Sequence, residues 1–277
     1  MNQAEELSIV AKESLKIMSR TLRVYWWNQG PRAGNFGDEL GPALIRILAR
    51  SRVEWAPPEM ADIISIGSVL EPWFWKNTRS FSGIVWGSGR MYGSESFSLA
   101  SSQISLLRGP LTLKSFGGDN SIPLGDPGLL ADIFLKKRDP KYALGLVPHW
   151  SQFEHLAWTR LAAHNTHLID VCSGYEQVIS QIAQCEAIVS SSLHGLIVAD
   201  SLGIPNVWVT LGDDPTYPNQ DFRFKFADYY ASLGITEMDV VDISKPTTVR
   251  KLQDRAMRQK SKELRKVKER IWNSFPL

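Results

Sequence analysis

The chain has only two cysteines, Cys172 and Cys185, in 277 residues. Two isolated thiols exclude a disulfide-built scaffold, and neither sits in a Cys/His spacing that holds zinc. The five histidines form no His-x-x-x-His or Glu-x-x-His pair, which argues against a metal-dependent hydrolase. No metal or cofactor is expected. No apolar run approaches the roughly 20 residues of a membrane-spanning helix. Residues 1–20 contain acidic side chains and no secretory apolar stretch, so the expected location is the cytoplasm. Internal repeats and low-complexity tracts are also missing. With 43% hydrophobic and 22% charged residues, the chain is that of a globular protein able to bury a sizeable core.

A net charge of +2 conceals an uneven distribution. Residues 250–277 carry ten Lys or Arg against three acidic residues, so this tail is +7 and the remainder −5. An acidic body without a binding motif argues against nucleic acid as a partner. In the tail, Leu264, Val267 and Ile271 recur at helical spacing, which predicts a basic helix with one packing stripe. Two readings stand for it: a solvated terminal helix, or peripheral contact with the anionic inner face of a membrane.

After an N-terminal helix over about Glu5 to Ser19, apolar strands alternate with helices. Val24 to Trp27, Ile63 to Ile66, Ile84 to Trp86 and Ser105 to Leu107 read as one set of strands. A second set, Ala143 to Val147, Leu168 to Val171, Ala187 to Val189 and Val207 to Val209, follows the linker-like stretch Lys136 to Lys141. Glycine-bounded strands alternating with helices predict α/β architecture with parallel sheets. The expected organisation is two Rossmann-like halves facing a cleft, over residues 21–138 and 139–246, with the basic helix at 247–277.

In such sheets ligands bind beyond the carboxyl ends of the strands. Five clusters fall there: Asn35-Phe-Gly37-Asp38-Glu39, Gly87-Ser88-Gly-Arg90, Arg108, His149, and Ser190-Ser191-Ser192-Leu193-His194. The last is the most informative. The serines precede a helix that ends at Gly203 before Pro205, so His194 falls in the first helical turn, where unpaired N–H groups favour an anion. Arg108 either pairs with a carboxylate of its own domain or offers a planar fork to phosphate. Arg223 and Lys225 lie on one side of an alternating segment with phenylalanines on the other, which reads either as aromatic packing with solvated cations or as a phosphate clamp. His155, His164 and His167 read as solvated side chains. Trp73 and Trp75, after Pro72, are placed to stack on sugars or to pack an interface.

In order along the chain, Asn35-Phe-Gly-Asp-Glu, Gly87-Ser-Gly, Arg108-Gly-Pro, Leu124-Gly-Asp-Pro-Gly, Val147-Pro-His and Ser190-Ser-Ser-Leu-His-Gly with Gly203-Ile-Pro resemble the polysaccharide pyruvyl transferases, particularly the exopolysaccharide, succinoglycan-type members. The resemblance covers about Val24 to Gly234. It implies a glycosyltransferase-B-like fold, with an N-terminal acceptor side and a C-terminal donor side. It also implies transfer of pyruvate from phosphoenolpyruvate to a sugar, as a cyclic ketal, with release of phosphate. The acceptor would be a glycan, lipid-linked saccharide or nucleotide sugar. His194 corresponds to the family's general acid and Arg108 to an arginine near the donor. Ser192 stands where many members have arginine, which leaves the donor's charge to Arg108, Arg223, Lys225 or His149. Asp38 or Glu39 would orient acceptor hydroxyls or accept a proton. Two other functions fit the same outline: a glycosyltransferase using a nucleotide sugar, and a non-catalytic carbohydrate-binding protein.

Overall fold

The computed structural model describes residues 20–28, 34–75, 81–93, 103–117, 121–136, 138–212, 223–258 and 264–277. The expected helix at Glu5 to Ser19 lies outside them, as do the side chains of Trp73 and Trp75.

The described residues form two five-stranded parallel sheets. The first comprises β1 (Thr21–Tyr25), β2 (Arg52–Trp55), β3 (Ile63–Ile64), β4 (Ile84–Trp86) and β5 (Gln103–Leu106), in the order β2-β1-β3-β4-β5. The second comprises β6 (Tyr142–Val147), β7 (Thr166–Leu168), β8 (Cys185–Ser190), β9 (Asn206–Thr210) and β10 (Val240–Asp242), in the order β7-β6-β8-β9-β10. The two orders are the same permutation. In each, the first strand pairs with the second on one side and the third on the other, so the chain reverses its direction of travel between β1 and β3 and between β6 and β8. Crevices open at such points.

Helices α1 (Phe36–Leu48), α2 (Pro110–Ser115), α3 (Leu156–Leu161), α4 (Tyr175–Ile182), α5 (Leu193–Ser201), α6 (Arg223–Ser232), α7 (Val249–Met257) and α8 (Arg265–Asn273) complete the described architecture. Helix α1 starts where Asn35 Oδ1 accepts from Gly37 N–H, and Asp38 and Glu39 complement the dipole of its first turn. It buries Phe36, Leu40 and Leu44. Helix α5 is apolar nearly all round, and Leu196, Ile197, Val198 and Ala199 are all buried. An all-round apolar helix must be covered on every side. Here the second sheet covers one side and the turn at Pro127–Ile133, from the first half, another. One apolar core therefore runs through both halves, joining Leu22, Phe36 and Leu129 to Ile188, Leu196 and Ile197.

The basic tail forms two helices where the spacing predicted one. Leu252 and Ala256 of α7 pack beneath the second sheet. Val267 and Ile271 of α8 are buried in the shared core, Ile271 against Gly125. Different surfaces claim the two apolar stripes, so a single straight helix does not serve both. Beyond α8, Trp86 Nε1–H donates to Ser274 Oγ at 3.2 Å and Phe275 packs edge-on against Trp86. The C-terminal segment thus ties back to the first half.

Candidate active site

The carboxyl ends of the strands at both reversal points open onto one cavity of about 700 Å³. The first half contributes Tyr25 at the end of β1 and Trp27 beyond it, Asn35 and Asp38 at the start of α1, and Gly67 to Val69 after β3. The second half contributes His149 and Trp150 after β6, Ser192 to His194 after β8, and Lys225 from α6.

The loop between β8 and α5 is built by its own serines. Ser190 Oγ accepts from Ser192 N–H and donates to the carbonyl of Val147 or Ser192, while Ser191 Oγ accepts from His149 N–H at 2.8 Å. Ser190 and Ser191 therefore shape the rim from beneath. Ser192 makes no side-chain cap, so its hydroxyl occupies none of the first-turn amides of α5, and Ser192, Leu193 and His194 line the cavity.

His194 is the second residue of that helix, and its side chain is 12% exposed. Phe36 meets its ring edge-on, and Gly37 lies directly against the Nδ1 edge. On the other edge, Nε2 is 3.9 Å from Asp126 Oδ2. Both atoms are buried without a hydrogen-bond partner, while Asp126 Oδ1 accepts from Gly128 N–H. Burial, then the fields of Arg108 and Lys225, push the imidazole down to about 3. Burial pushes Asp126 up to about 6, against the Gly128 hydrogen bond and the field of Arg108. In the unliganded protein at neutral pH the ring is therefore neutral, held between a carboxylate and a bare glycine.

Asp38 shares the cavity, and burial, opposed by Lys225, pushes it up to about 7. Burial and Arg108 lower Lys225 to about 8. His149 is also held well below its ordinary value by burial and Lys225, and its Nδ1 lies 2.8 Å from Ser151 Oγ. Among the described residues no group of three or more His, Cys, Asp or Glu is placed to hold a metal ion.

The cavity collects Asn35, Asp38, His149, Ser192, Leu193, His194 and Lys225 from the candidates named on sequence. Gly37 stands directly behind them. The others have different surroundings. Arg108 is 1% exposed and donates from Nε to Asp228 Oδ2 at 3.1 Å, from Nη1 to Ser68 Oγ, and from Nη2 to the Arg90 carbonyl. It takes the carboxylate-pairing option, although with a residue of the other half, and reaches the cavity through its field and through Ser68. Arg90 is buried against Glu71, whose carboxylate also accepts from Met91 and Tyr92 N–H. Ser88 Oγ donates to the Gly67 carbonyl. Gly87, at φ +85°, gives way to the Pro127 ring, which a Cβ would meet at 2.1 Å. Glu39 accepts from Tyr175 N–H across the halves. Arg223 is exposed at the start of α6.

The alternation seen around Arg223 and Lys225 is that of a helix. In α6, residues three apart share a face, so Lys225 goes with Asp228 and turns away from Arg223. Asp228 accepts from Leu111 N–H, Thr112 N–H and Thr112 Oγ1 as well as from Arg108. It thereby caps α2 of the first half while Lys225 enters the cavity. His155 and His164 are exposed, the former capping α3 through Ala157 N–H; His167 stacks on Tyr142.

Asp126 and Asp228 were not singled out from sequence. Their signals were local: an Asp-Pro-Gly turn in one case, and a position three residues after Lys225 in the other.

The family model for polysaccharide pyruvyl transferase matches residues 95–213, which include Arg108, Asp126, His149 and His194. A succinoglycan biosynthesis protein, ExoV, of Rhizobium meliloti is 29% identical over 221 residues, 78% of this chain and 66% of that protein. Both matches point to the polysaccharide pyruvyl transferase family as the one this chain is similar to. An uncharacterized protein of Acanthamoeba polyphaga mimivirus is 32% identical over 162 residues, 55% of each chain. The chain thus spans about half to two thirds of the length of these two curated relatives. A crystal structure of a functionally uncharacterized Klebsiella pneumoniae protein aligns with a TM-score of 0.44 at 13% identity, over 87% of this chain and 99% of that one.

Proposed function

We propose that this protein transfers the pyruvyl group of phosphoenolpyruvate to two hydroxyls of a sugar in an exopolysaccharide or its precursor, forming a cyclic ketal and releasing phosphate. The observation that carries the reading is His194 at the helix N-terminus of a two-sided cavity, with Lys225 in the same cavity and Asp38 on the opposite wall. An enol phosphate needs an anion seat, an acid beside its methylene carbon and a base beside the incoming hydroxyl. Those three requirements meet in this one cavity.

In this reading Lys225 and the first-turn amides of α5 hold the phosphate and supply the charge that Ser192 lacks. His194 gives a proton to the methylene carbon, which becomes a methyl group, and C2 becomes an oxocarbenium centre. The first sugar hydroxyl adds to C2 as Asp38 takes its proton. The C2–O bond to phosphate then breaks, the second hydroxyl adds, and its proton leaves with the phosphate. Positioned acid and base groups of this kind contribute about 10²- to 10⁴-fold each. Asp126, 3.9 Å from Nε2, would steady that edge of the ring.

The matching sheets around one cleft support a glycosyltransferase-B-like arrangement, with acceptor on the first half and donor on the second. Among the described residues no helix is long and apolar enough to cross a membrane. A cytoplasmic enzyme touching the inner membrane face through exposed Arg265 and Lys266 of α8 would meet a lipid-linked acceptor there.

Purified protein incubated with phosphoenolpyruvate and a galactoside or glucoside panel should release phosphate and yield a pyruvylated product, and His194→Ala should lower turnover at least about 10²-fold. Undiminished turnover in that variant removes the histidine from the mechanism. Turnover of a nucleotide sugar instead of phosphoenolpyruvate, or saccharide binding with no turnover of either donor, rejects the reading.

A further inference from the structure

The cavity has an aromatic side that the proposed pyruvyl chemistry does not use. Trp27 and Trp55 are 39% and 37% exposed, whereas Trp86, Trp158 and Trp208 are buried at 3% or less. Trp27 and Trp55 both line the cavity. Neither ring is loose: Trp27 packs edge-on against Phe74 with centroids 5.1 Å apart, and Trp55 packs against Tyr25 and donates from Nε1 to the Trp26 carbonyl at 3.0 Å. The sequence explains their position. Trp55 ends β2 and Trp27 lies two residues beyond β1, and these strands pair in parallel, so both indoles emerge at the same carboxyl edge.

We propose that Trp27 and Trp55 form a stacking platform for a pyranose ring of the acceptor. Fixed indoles leave apolar surface in water at a cost that a flat apolar partner relieves. A pyranose offers such a C–H face on one side and hydroxyls around its edge. Asn35 and Asp38, in the same cavity, supply the amide and carboxyl that hydroxyls pair with. A nucleotide base would also stack, but the polar side chains that the first half adds to this cavity, among them Asn35 and Asp38, include no cation for its phosphates. A cavity of about 700 Å³ has room for a sugar ring in addition to a three-carbon donor.

The proposal rests on the reading above only for the name of the acceptor, and it is tested without any donor. Titration of methyl β-galactoside, methyl β-glucoside and lactose, followed by saturation-transfer NMR, should show transfer to ring C–H protons in the wild type. Trp27→Leu and Trp55→Leu should each weaken that binding about tenfold, and Trp27→Phe and Trp55→Phe should keep most of it. Uridine monophosphate is the competing probe. Wild-type saccharide affinity in both leucine variants, no saccharide binding by the wild type, or uridine binding that alone responds to the substitutions overturns the platform. Should a leucine variant fail to fold, the phenylalanine variants decide: a loss there as large as that expected for leucine also overturns it. Trp-dependent saccharide binding with no ketal formed on adding phosphoenolpyruvate leaves the platform standing and removes the pyruvyl reading.

Discussion

Gly37 approaches the imidazole of His194 so closely that a Cβ placed on it would stand 2.1 Å from Nδ1. The two residues belong to opposite halves, at the first turns of α1 and α5. A hydrogen in place of a side chain therefore lets the two helices meet with the imidazole packed on the Gly37 backbone. Gly37→Ala must move either the ring or α1, and a misplacement of this size costs about 10²-fold in rate. The expected outcome is a folded variant by circular dichroism with kcat reduced by about that factor; wild-type kcat would refute the close approach.

Asp126 should trade stability for catalysis. Its carboxyl is raised from 3.8 to about 6, chiefly by burial. The stability linked to it is complete below 3.8 and is lost as pH rises through about 6, when the buried group must ionise. Asp126→Asn keeps the acceptor for Gly128 N–H and removes that ionisation. The variant should be more stable than wild type by up to about 3 kcal/mol at pH 8, with the advantage vanishing near pH 4. Its turnover should nevertheless fall, because His194 Nε2 loses its carboxylate. Urea unfolding at the two pH values together with a rate measurement checks both halves of the prediction.

Donor binding should draw a proton from solvent. Burial, Arg108 and Lys225 hold His194 down to about 3, so the ring is neutral at pH 7 before the donor arrives. A carboxylate and a phosphate entering the cavity offset both cations and raise the value again. Calorimetric titration of phosphoenolpyruvate in buffers of different ionisation enthalpy should report uptake of up to about one proton. His194→Asn should abolish most of it.

The pH dependence of kcat/KM follows from His194 together with two other groups. Asp38, at about 7, must be ionised to accept a proton, and Lys225, at about 8, must be charged to hold phosphate. His194, at about 3 in the free enzyme, must also gain a proton, which offsets the gain from Asp38 ionisation. A rate that is level below about 7, falls above it and falls more steeply above about 8 is expected. Lys225→Met should raise the donor KM and remove the steeper fall above about 8, which a pH–rate profile of the variant checks.

Much of the fold could be read from local pattern. Glycine-bounded apolar runs marked the strands, and the serines and Gly203-Ile-Pro bounded α5. Position after a strand then picked out Asn35, Asp38, His149 and His194, because in parallel sheets that position is itself the site. What escaped depends on distant partners. Arg108 pairs with Asp228, 120 residues away, and no spacing within one segment encodes that. The same holds for Asp126 beside His194, a meeting that exists only because α5 packs on the turn at Pro127–Ile133. The segment at Arg223 to Tyr230 misled for another reason: alternating aromatic and polar residues mimic a strand, while partners on α2 and in the cavity select a helix. The tryptophans that line the cavity, Trp27 and Trp55, stand at or just beyond strand ends, where no local motif marks them.

The central claim is that His194 delivers a solvent-exchangeable proton to carbon. Running the reaction in D₂O and examining the ketal methyl group by NMR tests it most directly. The account predicts one deuterium per methyl group in the wild-type product and product formation reduced at least about 10²-fold in His194→Ala. A methyl group free of deuterium, or wild-type product formation by the variant, would contradict it.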